Sequence, residues 1–213
     1  MGDVDPRGRM RLDAIARFMQ DVGHDDAVDD FEPDTTWVVR RVAIQVSRWP
    51  RFMDDLAART WCSGVGQRWA ERSTVFGDAV AATALWVYVD AKTLAPRRLP
   101  DSFFERWGAS AAGRKVSGRL THADPSASAA WSPWPVRATD LDVLDHVNNA
   151  AYWHAVEEHI IGGRLPRPSE AEIEYRVPIN RGASVECGVD GGGGALWLRD
   201  AADGTVFASV VLR

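Results

Sequence analysis

The stretch Thr139-Asp-Leu-Asp-Val-Leu-Asp-His-Val-Asn-Asn-Ala-Ala-Tyr-Trp-His-Ala-Val-Glu-Glu158 crowds three Asp, a His and two Asn into a polar segment that leads straight into a helical pattern. Tyr152, Val156 and Ile160 recur at i, i+4 and i+8, the spacing of one buried helix face. Asn148 and Asn149 are N-cap types, which starts the helix at about Asn149 and aims its free first-turn N–H groups into the space bordered by Asp142 and His146. Donors so placed suit a developing oxyanion. A carboxylate and an imidazole four residues apart suit the activation of a water for attack on an acyl carbonyl. The plainer reading of the same residues is a capped helix with a structural His.

Around this stretch the composition is that of a globular chain. Its 213 residues are 46% hydrophobic, enough to bury a substantial core in one large domain or two small ones. No apolar run is long enough for a membrane span, and no basic start with an apolar core marks a secretory signal, so the expectation is a cytoplasmic protein with no membrane partner. The formal charge of −5 argues against nucleic-acid binding, which needs a basic face. Cys62 and Cys187 have no metal-ligand spacing and read as small buried hydrophobes; no metal or other cofactor is expected. Ten Trp stand out. Trp37, Trp49, Trp61, Trp69 and Trp86 fall in one region, where large rings fill a core or line an apolar pocket.

Taken in order, the chain opens with a helix whose apolar face is Leu12, Ile15, Met19 and Val22, ending at Gly23. Residues 25–34 form an acidic loop with Pro33. Alternation then predicts strands over 37–49, 56–63, 67–76 and 80–89, broken by Gly64-Val-Gly66 and Gly77-Asp78. Residues 94–130 read as a linker with a short helix at 101–107, and His122 as an exposed loop residue. A strand at 134–138 precedes the opening stretch and its helix to about Ile161. Strands at 171–177, 184–189, 195–199 and 206–212 follow, the last two joined by a hairpin turn at 201–204.

The two halves repeat. Asp3-Val4-Asp5 falls onto Asp140-Leu141-Asp142, Arg9-Met10 onto His146-Val147, and Ile15 onto Tyr152. Ala43-Ile44-Gln45-Val46 falls onto Glu172-Ile173-Glu174-Tyr175, and Cys62 onto Cys187. The first half has Arg9 where the second has His146, so only the second pairs its Asp with a second titratable group, and Asp5 reads as structural. The first half also lacks a strand ahead of its Asp-Val-Asp. This predicts an exposed edge, a less stable first half, and either a longer natural chain or a neighbouring molecule or segment that covers the gap.

The string Asp140-Leu-Asp142-Val-Leu-Asp-His146-Val-Asn-Asn149-Ala-Ala-Tyr152 resembles the second hotdog of acyl-ACP thioesterases. Trp37-Val-Val-Arg-Arg, Arg48-Trp-Pro and Thr60-Trp-Cys-Ser-Gly extend the resemblance over nearly the full length. It implies an α+β tandem double hotdog, each half a central helix wrapped by an antiparallel β-sheet, with an N-terminal hotdog over 1–122 and a C-terminal one, carrying the catalytic motif, over 131–213. It also implies a hydrolase of fatty acid biosynthesis that releases a fatty acid from acyl carrier protein, or from coenzyme A, through water activated at Asp142 and His146, with Asn148 and Asn149 at the helix start. Trp61, Trp69, Tyr152 and Trp153 are the expected substrate contacts, and a homodimer is an expected assembly.

The pattern is incomplete. Leu144 stands where the family has an Asn, and Pro178 and Ile179 stand where plant-type members carry a Glu and a Cys. These departures support a second expectation, a hotdog protein that has lost turnover and only holds acyl carriers or acyl ligands.

Overall fold

A computed structural model describes residues 2–27 and 34–213. The first helix, α1 (Leu12–Ala27), buries Leu12, Ile15, Ala16 and Met19 on one face. It continues one turn beyond the expected stop at Gly23. Asp26 in that extra turn pairs with Arg72 across a 2.5 Å bond, and Gly23 permits the approach, since a Cβ there would lie 3.3 Å from the Arg72 side chain. Most of the acidic loop, residues 28–33, lies outside the described residues.

Four strands follow: β1 (Thr35–Val46), β2 (Ala58–Val65), β3 (Trp69–Phe76) and β4 (Val80–Asp90). After the short α2 (Asp101–Trp107) come β5 (Ala130–Trp134), α3 (Trp153–Ile161), β6 (Glu170–Tyr175), β7 (Val185–Val189), β8 (Ala195–Asp200) and β9 (Val206–Leu212). Among the described residues these nine strands form one antiparallel sheet in the order β2-β3-β4-β1-β6-β9-β8-β7-β5. The seam is β1 against β6, where Val42 faces Ile173. On either side of it the strands run in matching order, with β4, β3 and β2 answering β9, β8 and β7.

The repeat extends to hydrogen bonds. Val4 bridges Met10 as Leu141 bridges Val147. The Asp5 N–H donates to the Arg9 carbonyl at 2.7 Å as the Asp142 N–H donates to that of His146 at 2.8 Å. The turn inside each loop needs a left-handed residue, Gly8 in one and Asp145 in the other, with φ of 73° and 62°. Arg17 pairs with Asp3 as His154 approaches Asp140 at 3.6 Å.

Other expectations need correction. The strand ahead of the second loop is β5 at 130–134, four residues earlier than alternation suggested; its partner β7 begins at Val185, opposite Trp134, so the ladder ends there. Helix α3 begins at Trp153, four residues after Asn149, because the Asn148 Oδ1 accepts the Ala150 N–H at 2.9 Å and folds 149–152 into turns. At the end of β2 a segment of the same chain covers the edge, one of the alternatives expected for the missing strand: the Val65 N–H donates to the Arg114 carbonyl at 3.0 Å and the Val116 N–H to that of Val65 at 3.2 Å, while Ala58, Arg59 and Trp61 of the same strand stay exposed.

Nor is His122 an exposed loop residue. Its side chain is 5% exposed, with Nε2 2.9 Å from Glu172 Oε1. The Thr121 and His122 N–H groups donate to the Glu174 carboxylate at 2.7 and 3.0 Å. Glu174 is fully buried in the sheet, and a buried carboxylate needs donors. The segment expected to be a linker supplies them and lies strapped across the outer face.

Candidate active site

The repeat breaks at the two Asp side chains, and that difference locates the site. Asp5 is consumed by its surroundings: Oδ1 accepts the N–H groups of Arg7 and Arg9 at 2.8 and 2.9 Å, and Oδ2 accepts from Arg167 at 2.8 Å. Asp142 accepts the Leu144 N–H at 2.9 Å and borders a cavity of about 590 Å³. That size suits a small-molecule site.

The cavity lies between α1 and the inner face of β1–β4. Ala16, Met19 and Gly23 of α1 face Val42, Ala84 and Trp86 of the sheet, and Phe103 and Trp107 of α2 also line it. Its second-half side is Asp142, Leu144, Asn148 and Asn149, with Tyr175 beside them. The equivalent space in the second half is filled. Trp153, fully buried, occupies the place of Ala16, and Ile160 that of Gly23. Arg167, stacked at 4.5 Å over the Trp49 ring, reaches between Asp5 and Glu157.

The backbone donors are similarly divided. The Leu12 N–H donates to Glu157 Oε1 at 2.7 Å. Burial pushes the Glu157 carboxyl up, while the Leu12 N–H and the neighbouring Arg167 pull it back. Asn149 corresponds to Leu12, and the residue corresponding to Glu157 is Gln20, also on the cavity wall. Among the described residues no protein group accepts from the Asn149 N–H. Asn149 is held instead through its carbonyl, which accepts the Tyr175 hydroxyl at 2.9 Å. The Tyr152 hydroxyl accepts the Ile179 N–H at 3.0 Å, and the two Tyr rings meet edge to face at 5.1 Å.

His146 belongs to the same loop but its side chain is not part of the cavity wall. Its backbone bridges Asn180, and its neighbour Asp145 pairs with Arg181. Trp61, Trp69, Tyr152 and Trp153 lie off the cavity as well. Strand parity explains the first two: successive residues point to opposite faces, so Cys62 and Ala70 face inward while Trp69 packs outward, donating from Nε1 to the Val116 carbonyl at 2.8 Å. Tyr152 positions the loop, and Trp153 is core.

The rings that reach the cavity are Trp37, Trp86, Phe103, Trp107 and Tyr175. Tyr175 carried a signal in the sequence, as the last residue of the repeated segment Glu172-Ile173-Glu174-Tyr175. Cys62 borders the cavity, but burial raises its thiol; Cys187 is buried and pushed up to about 12. Neither is poised as a thiolate. His122, Glu172 and Glu174 form a group of metal-ligand type among the described residues. It lies at the strapped outer face, where its atoms already bond to the strap and the sheet.

A family model described as the acyl-ACP thioesterase N-terminal domain matches residues 1–107, and its C-terminal counterpart matches 124–200. The chain belongs to the acyl-ACP thioesterase family. It is 32% identical over 187 residues to an uncharacterized protein of Mycobacterium tuberculosis, covering 84% of this chain and 75% of that one. It is 24% identical over 178 residues to the chloroplastic oleoyl-acyl carrier protein thioesterase of Arabidopsis thaliana, covering 70% of this chain and 49% of that protein.

The fold is similar to that of the 12:0-ACP thioesterase from Umbellularia californica, with a TM-score of 0.79 at 22% identity over 100% of this chain and 93% of the other. An acyl-ACP thioesterase from Bacteroides thetaiotaomicron gives 0.81 at 16% identity, over 99% and 93%. The fold of this acyl-ACP thioesterase family member is therefore the α+β hotdog architecture expected from its motif. Among the described residues no helix is long and apolar enough to cross a membrane.

Proposed function

We propose that the protein hydrolyses fatty acyl thioesters of acyl carrier protein or coenzyme A, with the acyl chain in the first-half cavity and the chemistry at its second-half wall. The observation that carries this reading is the contrast between Leu12 and Asn149. One backbone N–H already binds a carboxylate oxygen at 2.7 Å, and its counterpart on the cavity-lining Asn149 has no protein acceptor among the described residues, with a neutral Gln20 in place of the acid. In this scheme a water attacks the thioester carbonyl carbon and Asp142 takes its proton. The Asn149 N–H holds the oxyanion. Collapse breaks the carbon–sulfur bond, and the thiolate leaves with a proton from the carboxyl group. His146, on the same loop, is the second candidate base. Asn148 shapes the turn that presents the donor.

A second reading, an acyl-binding protein without turnover, is favoured by Leu144, Pro178 and Ile179, none of which supplies a polar side chain beside Asp142. Thiol release from a panel of acyl-coenzyme A and acyl-carrier-protein thioesters separates the two. Steady release under excess substrate supports the enzyme, and saturable binding with no thiol released supports the binder.

A further inference from the structure

The cavity is apolar where it passes the seam and polar at its far end. Across the inner face, Val42, Ala84, Arg72 and Cys62 stand side by side on β1, β4, β3 and β2. Arg72 therefore puts a guanidinium on the surface over which an acyl chain would lie, two strands beyond Val42. Nη1 donates to Asp26 Oδ2 at 2.5 Å and to Thr60 Oγ1 at 3.3 Å, and the guanidinium sits 5.0 Å over the Trp107 ring. Thr74, almost fully buried, adds a hydroxyl 3.1 Å from that of Thr60. Ala84, Cys62 and Gly23 around the cation are small, and Gly23 leaves room for its side chain to pass beneath α1.

From Tyr175 on β6 to Arg72 on β3 is three strand spacings across the sheet and two residues along it, roughly 16 Å. A chain whose carbonyl lies at Asn149 meets this polar cluster well along its length. A methyl terminus pressed there covers the Arg72 cation and returns no hydrogen bond, which is unfavourable. An oxygen on the chain accepts from Arg72, and a hydroxyl also donates to Asp26. A carboxylate gains Arg72 but meets the Asp26 charge.

Resting on the acyl-thioesterase reading, we propose that Arg72 selects acyl chains bearing an uncharged oxygen, a hydroxyl or oxo group, at their far end. Calorimetric titration with decanoic, ω-hydroxydecanoic and sebacic acids tests this without turnover. The wild-type protein binds ω-hydroxydecanoic acid about tenfold or more tighter than decanoic acid, the scale of one charge-assisted hydrogen bond, with sebacic acid weaker than the hydroxy acid. Arg72→Leu and Arg72→Gln abolish the preference. Asp26 lies at the half-exposed end of α1, and Arg72→Leu with Asp26→Asn covers the case in which the single variant melts early.

Equal or tighter binding of decanoic acid by the wild type, tighter sebacic acid, or a preference that survives at position 72 overturns the proposal. Hydrolysis of the corresponding coenzyme A thioesters is read separately. A binding preference with no thioester cleaved sinks the thioesterase reading alone. Cleavage that ignores the chain's oxygen sinks this inference alone.

Discussion

Leu12 and Glu157 join the two halves of the molecule through a backbone N–H donated to a buried carboxylate at 2.7 Å. The bond caps the start of α1, where orphan donors need acceptors, and it occupies in one half the position left to Asn149 and Gln20 in the other. The repeat thus supplies its own control: one copy shows the donor satisfied by protein, and the other leaves it, on a residue that lines the cavity, with no protein acceptor among the described residues.

Gln20→Glu should recreate the closed arrangement at the open copy. The fold already tolerates this geometry at Leu12 and Glu157, so the melting temperature should change little. Turnover should fall about a hundredfold, the scale of losing an oxyanion donor. Steady-state kinetics beside a thermal melt checks this; full activity in a folded variant removes the Asn149 N–H from the mechanism.

The filled half predicts a stability cost. Trp153 is fully buried where Ala16 leaves space in the other half, so Trp153→Ala should destabilise the protein by about 3–5 kcal/mol. Urea unfolding measures it. A loss near zero would mean that the second half repacks as loosely as the first.

Acid should weaken the contact between α1 and α3. Burial alone would raise the Asp13 carboxyl, but the bonds from Arg11, at 2.8 Å, and the His154 ring 3.5 Å away outweigh it and hold the group at about 2, against an ordinary value of 3.8. A depressed folded-state value gives stability that is complete above the unfolded value and is lost as pH falls through the folded one. The Asp13 contribution, about 2 kcal/mol, should therefore disappear between about pH 4 and pH 2. Asp13→Asn should flatten that part of the stability curve; an unchanged slope there assigns the acid loss to other groups.

Much of this was legible in the chain because it depends on local pattern. The Asp-Leu-Asp to Asn-Asn string fixes a bridged loop by backbone bonds within a few residues, and its copy near Asp5 shows the same spacing. The alternation of Val42, Ile44 and Val46 fixes a half-buried strand. Other features depend on partners far along the chain. Trp61 and Trp69 looked like pocket rings, but a bulge between Cys62 and Gly64 and strand parity turn the small residues inward instead. His122 sat in a polar tract and was drawn in by Glu172 and Glu174 across the sheet. Arg72 gave no local sign of facing the cavity, since only the pairing of β3 with β2 and β4 sets its side.

The assignment of Asp142 as the base is the centre of the account, since Asp142 contributes a carboxylate to the cavity wall where its copy Asp5 is locked away. The direct measurement is thiol release by the wild-type protein and Asp142→Asn on one acyl thioester, with acyl-ligand binding measured on the same two preparations. The account predicts unchanged binding and a loss of turnover of about a hundredfold or more. Equal turnover by the two proteins would contradict it.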